Sequence, residues 1–216
     1  MLAYDCLVKS PARIIFVGSS GSGKTWLACH ILENFEKVFA RPLKRIYIFY
    51  QHEQQMYVDL QKKCKIPVEL KKGLPSDSFR PRPKSLILLD DFMELDSPII
   101  RSWFLRRSHH YDSDCIYLTQ NLFPKGRISR DVSLNANYIC IFRARRDFSQ
   151  LEKLNYQLLG AQNRQFLQKV YKYLTKNRPY SYLFIDLQTL TPDEFRFRSS
   201  IIPEKGVTRV FIPQTS

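Results

Sequence analysis

The sequence predicts an α/β chain with a mainly parallel central sheet, helices flanking it, and a C-terminal β-hairpin. Three observations predict this. Short apolar runs recur along the chain, and they are continuous rather than alternating, as in strands covered on both faces. Stretches with helical apolar spacing follow most of these runs, so strand and helix alternate. Three of only seven glycines, Gly18, Gly21 and Gly23, fall within one short stretch between the first strand and the first helix.

The elements follow in order. "ARIIFV" contains the first strand, Arg13–Val17, and "TWLACHILENF" continues a helix over Lys24–Phe35 with Leu27, Ile31 and Leu32 on one stripe. Arg45–Tyr50 reads as a strand and Glu53–Lys63 as a helix. The Pro-rich "GLPSDSFRPRPK" is too polar to pack and reads as a loop. Ser85–Asp90 is the next strand, followed by a helix near Pro98–Ser108. Asp114–Thr119 is a strand leading into a polar loop with Pro124 and Gly126. Asn137–Phe142 is a strand, and Phe148–Leu159 and Asn163–Lys176 are helices. "SYLFID" and "FRFRSSII", parted by the turn-rich "LQTLTPDE", read as a hairpin over about 180–202, added to the sheet edge. The 216 residues suit a single domain.

"GSSGSGKT", comprising Gly18, Ser19, Ser20, Gly21, Ser22, Gly23, Lys24 and Thr25, fits the phosphate-binding pattern G-x-x-x-x-G-K-[ST]. Glycine allows the sharp turn and the close approach of another group. Backbone N–H groups of such a loop cradle phosphate oxygens, and the helix behind adds the positive end of its dipole. Lys24 would reach the β- and γ-phosphates, and the Thr25 hydroxyl would ligate Mg²⁺. An ordinary Gly/Ser turn is the alternative. It explains neither the full pattern nor the strand before it and the helix after it. The fold expected is therefore a P-loop NTPase of the RecA/ASCE-like kind.

Two further strands end in polar residues, and strand C-termini face the ligand crevice in open α/β sheets. "SLILLDDFME" ends in a carboxylate pair. Asp90 is the candidate Mg²⁺ residue, through a coordinated water, and Asp91 is the candidate for polarising the attacking water. A helix N-cap is the competing explanation of "DDF". In "CIYLTQNLF", Gln120 is placed to orient water or to sense the γ-phosphate. The guanine-reading N-K-x-D and the D-x-x-G switch of GTPases are both missing. The class left is the ATPase with a strand inserted between its two nucleotide motifs, mostly ring-forming motors.

Lys and Arg total 34 against 20 Asp and Glu, a net charge of +14, which favours polyanions, either nucleic acid or an anionic membrane. The five cysteines are scattered without a disulfide or zinc spacing, and Cys29, Cys115 and Cys140 sit in apolar patterns as small core residues. His109 and His110 lack partner ligands at zinc spacing. There is no signal peptide and no apolar run near membrane-spanning length, so the expectation is an intracellular chain without a transmembrane segment.

Five segments together carry a resemblance: "IFVGSSGSGKT", "ILLDDFM", "RSHHYDSDCIYLTQNLFPKG", "VSLNANYICIFRARRD" and "SYLFIDLQTLTPDEFRFRSSI". The chain resembles the poxvirus-type genome-packaging ATPases of the FtsK–HerA superfamily, in the version encoded by Polinton (Maverick) elements. The likeness runs from about Ala12 to Ile202. It implies an ATP- and Mg²⁺-dependent homo-oligomeric ring that drives double-stranded DNA into a capsid, with viral capsid proteins as partners. The implied setting is the nucleus or a cytoplasmic viral factory of the host, or the virion. Lys24 and Thr25 match the family's phosphate-loop pair, Asp90 its metal acid and Gln120 its polar sensor. Asp91 stands where the superfamily more often has Glu, which leaves Glu94 as a second candidate for the base. Arg107 best matches the arginine finger, with Arg106 beside it and Arg146 as a further candidate. A nucleotide-regulated scaffold on capsid or membrane, and a plasmid-transfer-type DNA motor, remain the alternatives.

Overall fold

Parallel strands buried on both faces must alternate their side chains between two apolar layers, and β1 (Arg13–Val17) does so. Ile14 and Phe16 enter one core, and Ile15 and Val17 enter the other. The same division holds in β2 (Arg45–Tyr50), where Ile46 and Ile48 oppose Tyr47 and Phe49, and in β4 (Ser85–Asp90), where Leu86 and Leu88 oppose Ile87 and Leu89. The computed structural model describes residues 5–92, 97–122, 127–143, 149–161, 163–176, 178–203 and 206–214, with backbone alone for 127–129.

Within the described residues the sheet has nine strands in the order β3-β2-β4-β5-β1-β6-β7-β8-β9. The first six positions, which add β3 (Val68–Lys72), β5 (Asp114–Thr119) and β6 (Tyr138–Phe142), are all parallel. β7 (Tyr182–Asp186) then joins β6 antiparallel. β8 (Phe197–Arg198) and β9 (Val210–Phe211) continue antiparallel to the edge. This is the expected α/β sheet with its C-terminal hairpin.

α1 (Lys24–Glu33) and α2 (Gln55–Lys63) cover one face, burying Leu27, Ala28, Ile31 and Leu32 from the first and Tyr57 and Leu60 from the second. On the other face, α3 (Pro98–Ser102) starts at Ser97, whose Oγ accepts from the Ile99 N–H, with Pro98 in the first turn. It runs on through a π-helical stretch, Trp103–Arg107, into α4 (Ser108–His110). Trp103 and Phe104 of that stretch are fully buried. α5 (Arg127–Leu134), α6 (Ser149–Leu159) and α7 (Phe166–Thr175) complete this layer. Buried Asn155 joins α6 to α7: its amide donates to the Asn163 carbonyl at 2.8 Å and its oxygen accepts from the Leu167 N–H at 2.9 Å. Cys115 and Cys140 lie buried in strands, and Cys29 is half-buried in α1.

The boundaries differ from expectation at predictable places. α1 stops at Glu33, and a short 3₁₀ turn, Phe35–Lys37, follows. β8 is shorter than the expected Phe195–Ile202 because a 3₁₀ turn occupies Asp193–Phe195. Three elements were not expected. β3 reads "VELKK" and buries only Val68 fully, since it is the sheet edge. α5 falls in a stretch too polar to read as a helix. β9 is a two-residue edge strand.

Candidate functional site: a phosphate loop at the strand ends

Parallel pairing brings three chain segments to one edge of the sheet. Val17 is level with Thr119, and Asp90 with Leu118. The phosphate loop after β1, the acids after β4 and Gln120 after β5 therefore emerge side by side. The Gly18 N–H donates to the Thr119 carbonyl at 3.2 Å and fixes the loop to its neighbour. Together these segments line a cleft of about 290 Å³ that holds 20–25 of the loop, Gln54, Asp90, Asp91, Gln120 and Tyr180.

The loop needs its glycines at two positions for different reasons. A Cβ on Gly18 would stand 2.7 Å from the Phe142 Cβ and 2.8 Å from the Ser22 Oγ. Gly23 has φ 101°, and a Cβ there would meet the Tyr180 ring at 3.1 Å. Gly23 also precedes α1 without any side-chain cap. The first N–H groups of α1 thus remain free to face the cleft, with the positive end of the helix dipole behind them. The Ser22 Oγ is buried with no partner among the described residues, a polar atom in need of one. Such a cradle of free donors fits a triphosphate.

The Lys24 ammonium donates to the carbonyls of Gly18 at 2.7 Å and Ser19 at 3.0 Å. Burial lowers its pKa, while Asp90 and Asp91 act in the opposite direction. Asp90 is almost wholly buried at the end of β4. Its Oδ2 accepts from the Gln54 amide at 2.9 Å and, in a short hydrogen bond, from the Tyr57 hydroxyl. Burial raises the Asp90 carboxyl above the usual range, the Tyr57 bond opposes that rise, and neighbouring Asp91 adds to it. Burial together with Asp90 raises the Tyr57 phenol strongly, so it stays a donor. Thr25 lies close enough to the same phenol to oppose that rise. The two residues expected at Mg²⁺, Thr25 and Asp90, therefore stand on either side of one phenol, which donates to Asp90. Two neighbouring oxygen ligands, one anionic, suit a hard divalent cation.

Asp91 takes φ 59°, a left-handed backbone that Asp tolerates better than most residues. Its carboxylate lines the same cleft, as does exposed Gln120. Glu94 and Arg146 lie outside the described residues. Arg107 lies elsewhere. The Phe104 carbonyl of the same helical run accepts from Arg13 at the start of β1 at 2.9 Å, and the Asp112 carbonyl just beyond it accepts from the Lys84 N–H before β4, so Arg107 stands toward the opposite end of the sheet. Its Nη2 donates to Asp77 Oδ1 at 3.0 Å, and its guanidinium lies 6.0 Å over Trp103. Arg106 is exposed beside it.

Gln54 and Tyr57 were missed in the sequence. They stand at the start of α2, 33 to 36 residues before Asp90, and no motif spacing marks them. The signal available was positional: in a parallel sheet the helix that follows β2 starts at the same edge as the site.

With Asp90→Asn, Mg²⁺-dependent nucleotide binding is expected to weaken, read by titration calorimetry with and without Mg²⁺. Asp91→Asn is expected to leave binding within about twofold while slowing single-turnover hydrolysis by about 10²-fold, the scale of one positioned proton acceptor. Equal losses in both steps for both variants would contradict this division. Loss in Glu94→Gln with a silent Asp91→Asn would move the base to Glu94.

No family model and no curated protein matches the sequence. Among solved structures, the chain is similar to the cytoplasmic domain of the Thermomonospora curvata type VII secretion ATPase EccC, with TM-score 0.53 and 12% identity over 83% of this chain and 24% of that one. It is also aligned with the cytoplasmic domain of EssC, at TM-score 0.49 and 12% identity over 95% of this chain and 40% of that one. The chain thus spans less than half of either protein. The likeness is one of architecture: the chain has the α/β fold of a P-loop ATPase domain.

Proposed function

We propose that this chain is an ATP-hydrolysing motor of the FtsK–HerA type that moves double-stranded DNA, and that its task is to fill a viral capsid. The observation that carries the hydrolysis is the convergence of Lys24, Thr25, Asp90, Asp91 and Gln120 on one cleft, with a cradle of free helix N–H groups. In this reading the loop N–H groups and Lys24 bind and orient the triphosphate. Thr25 and Asp90 would hold Mg²⁺, which would supply charge neutralisation at the phosphates. Asp91 or Glu94 holds the attacking water and accepts its proton, and Gln120 orients that water. The net charge of +14 supports a polyanionic partner. The capsid as destination, the homo-oligomeric ring and the intracellular or virion setting rest on the sequence resemblance alone.

An arginine supplied by a neighbouring subunit would raise the rate by about 10³–10⁵. Arg106, Arg107 and Arg146 are its candidates. The tie between Arg107 and Asp77 favours a second reading, a nucleotide-regulated scaffold that turns over slowly, because it holds that guanidinium within its own chain. Phosphate release measured against protein concentration, with and without duplex DNA, separates the two. The motor reading expects specific activity to rise with concentration and DNA to shift that curve to lower concentration. It also expects Arg107→Ala or Arg106→Ala protein to regain activity when mixed with Lys24→Ala protein. DNA affinity should fall steeply with salt, because each neutralised phosphate releases a counterion. Slow turnover that ignores concentration, DNA and mixing would leave the scaffold.

A further inference from the structure

A second cleft, of about 1210 Å³, adjoins the phosphate site. Trp26 and Tyr180 line both, so the two share a wall of aromatic side chains. We infer that this cleft receives the base of the nucleotide, held on Trp26 and Tyr180, an inference that rests on the triphosphate reading of the loop.

The direction of the bound chain follows from the loop. Asp90 and Gln120 stand on the β4 and β5 side of it, where the terminal phosphate would meet them. The other end of the ligand must leave on the opposite side, past the first turn of α1 toward β6 and β7. Trp26, in that first turn, and Tyr180, just before β7, stand there. Both are large and aromatic, and both are more than half exposed, at 56% and 63%. Flat exposed rings beside a polar cradle match the faces of a heterocyclic base.

Two features hold these rings in place. His30, one turn along α1, stacks on Trp26 with centroids 5.0 Å apart and planes 15° apart, which fixes the indole. Tyr180 has φ 62°, an uncommon backbone for a bulky residue, and its ring lies against the bare Cα of Gly23. Any side chain on Gly23 would push the ring away. Strain of this kind persists where surrounding structure enforces it, and it often marks a ligand clamp. Arg178 and Arg209 line the same cleft. Their guanidinium groups donate and never accept, so they suit the acceptor nitrogens and oxygens of a base edge and disfavour a cationic ligand. A purine, with its larger stacking face, is the occupant expected.

The test compares two ligands that share a triphosphate and differ in the nucleoside: a non-hydrolysable ATP analogue and inorganic tripolyphosphate, each with Mg²⁺, and the aromatic variants then separate the base from the ribose. Binding is measured by calorimetry on the full chain, together with acrylamide quenching of tryptophan. The sequence has two tryptophans, and Trp103 is fully buried, so quenching reports Trp26. The analogue is expected to shield Trp26, and tripolyphosphate is not. Trp26→Ala should weaken the analogue tenfold or more while changing tripolyphosphate less than twofold, and Trp26→Phe should restore most of the affinity. Tyr180→Ala should act in the same direction. If Trp26→Ala binds the analogue as wild type does, or weakens both ligands equally, the base lies elsewhere. If wild type binds neither ligand, the nucleotide reading of the loop fails and this inference falls with it.

Discussion

Replacing Lys24 with alanine is expected to abolish nucleotide hydrolysis and leave the chain folded. Among the described residues, the Lys24 ammonium bonds only to the carbonyls of Gly18 and Ser19, both in the loop itself. It spans no elements and packs in neither core. Two hydrogen bonds are lost, each worth about 1 kcal/mol net. That loss is offset in part, because a cation that burial destabilises is removed with them. Thermal midpoints should therefore move by a few degrees at most, about the shift a 1 kcal/mol change produces in a domain of this size. Chemistry has no such compensation. The ammonium is the fixed charge nearest the position where charge builds on the phosphates, and removing one such preorganised donor costs about 10²–10³ in rate. Phosphate release and circular dichroism on the same sample read both sides. Turnover near wild type would refute the site.

The second large effect concerns stability. Arg198 on β8 and Asp186 on β7 form a fully buried ion pair, each side chain 1% exposed, with Nη2 to Oδ2 at 2.8 Å. The guanidinium also donates to the Cys6 carbonyl at 2.8 Å and lies 4.5 Å over the Phe184 ring. The Gln188 N–H donates to the other Asp186 oxygen at 3.0 Å. This group joins the antiparallel extension to the chain before β1. Burial raises the Asp186 carboxyl, and the Gln188 and Arg198 contacts oppose that. Arg198→Ala leaves the carboxylate buried without its countercharge, and breaking such a pair costs about 3–5 kcal/mol. Total stability of a domain is about 5–15 kcal/mol, so the urea midpoint should fall by a large fraction. Replacing both partners, as Arg198→Met with Asp186→Leu, should recover most of the loss, because no charge is then stranded. A shift in Arg198→Ala below about 1 kcal/mol, the worth of an exposed pair, would show that water reaches the site.

The sequence revealed what a short local pattern can carry. β1, β2, β4 and β5 appear with the expected bounds because each is a continuous apolar run between polar ends. The phosphate loop was legible because its chemistry needs consecutive residues. β3 was not legible, since an edge strand buries one face only and "VELKK" carries three charges in five residues. α5, "RISRDVSL", hides its buried Val132 and Ser133 among charges. Tyr57 was not legible as a site residue either. Its apolar ring packs in the core with Tyr50, 6.0 Å between centroids, and only its hydroxyl reaches Asp90. Nothing local in "FRFRSSII" marks Arg198 as buried, because its burial depends on Asp186 and Cys6, far apart in the chain.

The position of β1 in the sheet sets when this protein acquires its site during synthesis. Its two neighbours are β5 and β6, with Arg13 beside Cys115 and Ile14 beside Tyr138. β1 thus waits for about a hundred further residues before either flank exists. Until Thr119 is made, Gly18 has no neighbouring strand to fix it, and until Phe142 is made the loop lacks its wall on the other side. Contacts of such sequence separation also slow folding. The apolar run Ile14–Val17 is therefore a segment that stays open to a chaperone on the nascent chain until β5 and β6 are made. Nucleotide binding should appear late and abruptly in a series of lengthening nascent chains, only after β6 has cleared the exit tunnel.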